Sequence, residues 1–145
     1  MKTTQSNFFK NMLLGLTATT LFLFASCSKK ISFLTSSVVP AARGDVTVKR
    51  DKNKNYVIAL DISDLAEVNR LQPAKETYVV WIETDSQIVR NVGQIKSSTS
   101  LFSKKLRASF ETVSSYQPYK IFITAENNPS APYPGEQIVL STNRF

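Results

Sequence analysis

The chain of 145 residues has no histidine, one cysteine, four glycines and one tryptophan. Without an imidazole, Ser-His-Asp and Cys-His nucleophilic systems are excluded, as are the usual histidine-bearing zinc and copper sites. A lone cysteine closes no intrachain disulfide, so the fold must rest on a hydrophobic core. A chain of ~120 residues can build one, because it buries well over half of the surface its unfolded form exposes. Long apolar runs are also missing. Leu13 to Phe24, interrupted by Gly15 and threonines, would be ~18 Å long as a helix against ~30 Å of hydrocarbon. Extending it back to Phe8 would draw Lys10 and Asn11 into the apolar layer, which is the weakness of the competing reading as an uncleaved anchor.

Carboxylates are present, but not in a catalytic pattern. Asp61, Asp64 and Glu67 form the nearest cluster, and they read as a solvated strand end and loop. Asp51 to Asn55 (DKNKN) begins like a calcium loop with oxygen ligands at alternate positions. It fails at the sixth position, Tyr56 instead of Gly, and at the twelfth, Ile62 instead of Glu. No metal or cofactor is expected, and no enzyme; a carboxylate-based hydrolase is the least favoured reading.

The N-terminus has a recognisable anatomy. Lys2 and Lys10 form a basic region, Met12 to Phe24 an apolar one, and Ala25-Ser26 supply small residues before Cys27. Phe24-Ala25-Ser26-Cys27 resembles the bacterial lipobox, with Phe24 where leucine is usual. The resemblance implies cleavage before Cys27, a diacylglycerol on its thiol and acylation (palmitate or a similar chain) of its amino group. Two or more chains give stable anchoring without a transmembrane helix. The expected organisation is a signal peptide over 1–26, a lipidated tether over 27–35 and one domain over 36–145. Ser28 replaces the aspartate that favours inner-membrane retention in bacterial lipoproteins, which points to the outer membrane. Eighteen basic residues less Lys2 and Lys10, against eleven acidic ones, leave the mature chain at +5.

From Gly44 the pattern is that of strands. Val46 and Val48 alternate with Thr47 and Lys49, DKNKN makes a turn, and YVIALDI (56–62) resumes the period of two, which predicts a hairpin. Residues 63–76 break the alternation and hold Pro73, as a crossover loop does. TYVVWIET (77–84) is apolar on both faces and reads as a central strand, with Trp81 expected to pack between two sheets. IVRNVGQIK (88–96) pairs back after a turn at 85–87, KSSTS (96–100) is a polar bridge, and LRASF and YKIFITAE give two more strands. NNPSAPYPGE (127–136), with three prolines, is a loop, and QIVLS (137–141) closes the chain. Seven to eight short strands with regular turn signals predict an all-β antiparallel sandwich; a closed barrel is the alternative.

The segments TYVVWIETDSQIVRNVGQI and IFITAENNPSAPYPGEQIVLS are similar to the extracytoplasmic domain of anti-sigma-K-type regulators, through Tyr78, Trp81, Gly93, Glu126, Pro134 and Gly135. The resemblance implies an immunoglobulin-like sandwich. Those regulators also carry a cytoplasmic sigma-binding module and a transmembrane helix, which these 145 residues do not include, so an anti-sigma activity is not expected to transfer.

Lys49, Arg50, Lys52 and Lys54, and separately Lys104, Lys105 and Arg107, are the densest basic groups. They suit solvated edges that discourage sheet-to-sheet pairing, or an anionic lipid or glycan. Nucleic acid is not expected as a partner, because no basic motif interleaved with aromatics occurs. Tyr116, Tyr119 and Tyr133 border or occupy loops, and Tyr119, Tyr133 and Pro134 are the candidate binding surface. The expected function is a structural or ligand-binding envelope lipoprotein, joined to the membrane through Cys27, with a protein or glycan partner. A regulatory or sensory partner of an envelope signalling system is the alternative.

Overall fold

The computed structural model describes residues 28–95 and 107–145. The leader, Cys27, the polar bridge, Lys104 and Lys105 lie outside the described residues. Eight strands follow in order: β1 (Ser28–Ser32), β2 (Arg43–Arg50), β3 (Tyr56–Ser63), β4 (Thr77–Thr84), β5 (Val89–Ile95), β6 (Arg107–Ser114), β7 (Pro118–Glu126) and β8 (Ile138–Ser141). They form two four-stranded antiparallel sheets, ordered β1-β2-β3-β6 and β5-β4-β7-β8. Pairing of β3 with β6 in one sheet and of β4 with β7 in the other gives an immunoglobulin-like sandwich.

The period of two decides which side chains meet between the sheets. Val46, Ile58, Leu60 and Ile62 from the first sheet pack with Tyr78, Val80, Ile82, Ile121 and Ile123 from the second. β4 lies between β5 and β7, as its doubly apolar sequence predicts. The β2–β3 hairpin closes on Asp51, whose Oδ1 accepts the N–H groups of Asn53 and Asn55, each at 2.8 Å. The carboxylate of the failed calcium motif thus holds the turn itself. The crossover contains a single 3₁₀ turn, Val68–Arg70.

Gly93 sits at a bulge in β5, with φ +136°. A Cβ there would meet the Phe110 ring of β6 at 2.9 Å, so the sheets approach closely at this point because the residue has no side chain.

Of the region expected as a tether over 27–35, the described residues, 28–35, run with the body. β1 begins at Ser28 and pairs with β2 through Ser32, and the residues from Phe33 to Ala42 form a loop up to β2. Only Ile31 of SKKIS is even half-buried. The strand therefore owes its place to backbone pairing at a sheet edge, reinforced where the Ser32 hydroxyl and Lys30 Nζ reach the Asp45 carboxylate at 2.7 and 3.1 Å. Past β1, Leu34 N–H donates to Ser141 O at 2.9 Å, so the chain crosses from the first sheet to the open edge of the second.

Candidate binding surface

Trp81 does not pack between the sheets. Successive residues of a strand face opposite ways; Tyr78, Val80 and Ile82 take the inner face, which leaves Val79 and Trp81 on the outer one. They are nevertheless fully buried, with Phe122 alongside, because the loop after β7 folds back and sets Ala131 on them. Trp81 and Phe122 are register partners with rings stacked at 6.4 Å between centroids.

The same face carries a line of polar groups along β7, at the i, i+2 spacing of Phe122, Thr124 and Glu126. The Trp81 indole Nε1–H donates to Thr124 Oγ1 at 2.7 Å, and the Thr124 hydroxyl donates to Glu126 Oε1 at 2.5 Å. Gly135 N–H, from the far limb of the loop, donates to the same carboxylate oxygen at 2.7 Å. Thr124 and Glu126 are both buried, so these bonds are made in a low-dielectric setting where an unpaired group would be costly. A Cβ at residue 135 would lie 2.8 Å from Glu126 Oε2, so a side chain there would have to push the carboxylate out of its place. The near limb is held from the other side, where Asn91 Nδ2 of β5 donates to the carbonyls of Pro129 and Ala131 at 2.9 and 3.2 Å.

Fixed at both limbs, the loop over 127–136 displays Tyr133, 80% exposed, with Pro134 half-buried beside it. Tyr119 is not gathered with them. It lies near the start of β7, at the register shift between Lys120 and Pro118, where its carbonyl accepts the Phe145 N–H at 2.9 Å. Tyr116 stands at the β6–β7 turn under the Arg90 guanidinium, 3.9 Å from the ring centre. Asp61, Asp64 and Glu67 also part company. Asp61 is exposed on β3 opposite Asp45, and Glu67 pairs with Arg70 at 2.9 Å in the crossover.

Beside the loop runs an open groove of about 1210 Å³, lined by Val38, Pro40, Leu71, Pro73, Gly135 and Ile138 among others. The burial of Tyr78 beneath the crossover raises its phenol to about 12, and its hydroxyl donates to Ala66 O at 2.9 Å. The Ser32 hydroxyl and then Lys30 hold Asp45 below the usual carboxylate range.

Sequence reasoning missed Thr124 and Glu126 as members of the site. The available signal was their shared face with Phe122, directly before a proline-rich loop. No family model matches the chain, and no curated protein or solved structure matches it either.

Proposed function

We propose that the chain is a non-enzymatic lipoprotein of the bacterial envelope, anchored through Cys27, whose immunoglobulin-like sandwich presents the 127–136 loop to a protein or glycan partner. The anchoring rests on the leader and the Phe24-Ala25-Ser26-Cys27 sequence. The binding role rests on one observation, the attachment of an exposed tyrosine to a loop that the Trp81–Thr124–Glu126–Gly135 chain has already ordered. A pre-ordered loop spends little conformational entropy on association, and tyrosine offers both an apolar ring and a hydroxyl to a sugar or a peptide.

Two experiments in cells test the two halves. Cys27→Ser should move the protein from the membrane to the soluble fraction with its strand-rich circular dichroism intact, and continued membrane retention contradicts the lipid anchor. A photoreactive residue at position 133 should give a discrete protein or glycan adduct that Gly135→Ala abolishes. An adduct unchanged by Gly135→Ala contradicts the ordered loop as the binding element, and an adduct with a signalling protein favours the regulatory alternative.

A further inference from the structure

β1 starts at the residue that follows Cys27, and this fixes more than an attachment point. In the antiparallel register Ser28 is the Cα partner of Lys49, so Lys49 lies one strand spacing, about 4.8 Å, from the residue next to the lipidated cysteine. Arg50 follows it, and Lys52 and Lys54 occupy the turn that caps this end of the sandwich. All four are exposed, and none is in an ion pair among the described residues. Lys29 reaches over the Phe145 ring at 5.0 Å, which brings the second sheet's last residues to the same end. β7 also starts at this end, where Pro118 is the partner of Thr84, and exposed Tyr116 and Tyr119 flank that start.

Carboxylates at this end are few or already engaged. Asp51 is turned into the hairpin by two backbone N–H groups, and Glu83 is bound to Arg144 at 2.6 Å, leaving Asp85 of the β4–β5 turn. Lys54 adds an independent observation. It holds φ 67°, a left-handed conformation that favours glycine or asparagine, so a cation stands where the backbone would prefer another residue.

From this geometry, and resting on the lipid-anchor reading above, we propose that the end of the sandwich formed by Ser28, Lys29 and the 49–54 hairpin turn lies against the bilayer and binds anionic lipid headgroups. With no tether between Cys27 and β1, the hairpin cations sit within about one Debye length, ~8 Å at physiological salt, of the headgroup plane. Each cation so placed strengthens attachment to an anionic surface by about fivefold. Exposed tyrosines among them suit the interfacial layer. The body is thereby held upright on its first strand instead of swinging on a leash.

The test uses the full, processed protein reconstituted in vesicles of phosphatidylcholine, with or without phosphatidylglycerol, containing a headgroup-attached quencher. A fluorophore is placed at Asn53→Cys in the hairpin turn or at Asn69→Cys in the crossover at the opposite end. On anionic vesicles the probe at 53 should be quenched several-fold more than the probe at 69. Lys49→Glu with Lys52→Glu and Lys54→Glu, or raised salt, should reduce that difference to its value on neutral vesicles. Equal quenching at the two positions, or a difference that neither charge reversal nor salt alters, overturns the proposal. The parent chain supplies the separate control. A lipidated Cys27 takes up no dye, so dye uptake by the parent chain shows that the anchor reading has failed, whereas equal quenching at 53 and 69 in protein whose parent takes up no dye shows that the docking alone has failed.

Discussion

The indole N–H of Trp81 and the hydroxyl of Thr124 are bonded at 2.7 Å on the face of the second sheet turned away from the first. Thr124 is the only described group that both accepts from the indole and passes a proton donor on to Glu126, so it joins the sheet to the loop. Thr124→Val keeps the shape and removes both bonds, leaving a buried indole N–H and a carboxylate oxygen short of a partner. A loss of about 2 to 3 kcal/mol is expected in urea unfolding. Proteolysis within 127–136 should accelerate in native conditions, since the loop loses its hold before the core does.

Gly93→Ala should be more harmful than its size suggests. It asks alanine to adopt φ +136° and puts a methyl 2.9 Å from the Phe110 ring. Backbone strain and overpacking each cost about 1 to 3 kcal/mol, so a loss of at least about 2 kcal/mol is expected in denaturant unfolding. Gly93→Ala combined with Phe110→Leu should recover part of it, because only the steric share is relieved.

How much of this was legible depends on what each strand shows to solvent. β2, β3 and β6 have one wet or half-wet face, and their alternation names the strand and its inner residues directly. β4 is apolar on both sides; its sequence declares it central but is silent on which face meets the other sheet. Trp81 was therefore expected between the sheets, and the loop that buries it instead could be recognised as a loop but not folded back by any local rule. β1 was hidden for the opposite reason. SKKIS buries almost nothing, and pairing with β2 makes it a strand.

Alkaline pH should expose Tyr78. Its phenol is raised from 10.0 to about 12 in the fold, so the neutral form is favoured there, and its contribution is complete below pH 10. The contribution is lost as pH rises from 10 through about 12, where the unfolded chain ionises first. Tyr78→Phe should cost about 1 kcal/mol at neutral pH, through the bond to Ala66 O, and should flatten the alkaline decline in thermal stability.

Asp45 works in the other direction. Its carboxyl is lowered below the usual 3.8 by the Ser32 hydroxyl and then by Lys30, so its stabilising effect is present above that value and is lost as pH falls through the folded one. Both side chains are well exposed, at 69% for Lys30 and 37% for Asp45, which keeps the effect under about 1 kcal/mol. Asp45→Asn should weaken β1 slightly at neutral pH, measured as faster amide exchange at residues 28–32, and the difference from the parent chain should vanish in acid.

The proposed anchor would decide where the whole molecule sits, and one mass measurement reaches it. Protein extracted from membranes and digested should yield an N-terminal peptide that starts at Cys27 and carries a diacylglycerol with an added acyl chain. A peptide that still includes residues before Cys27, or one starting there with a free thiol, would contradict a lipid-held sandwich standing on its first strand.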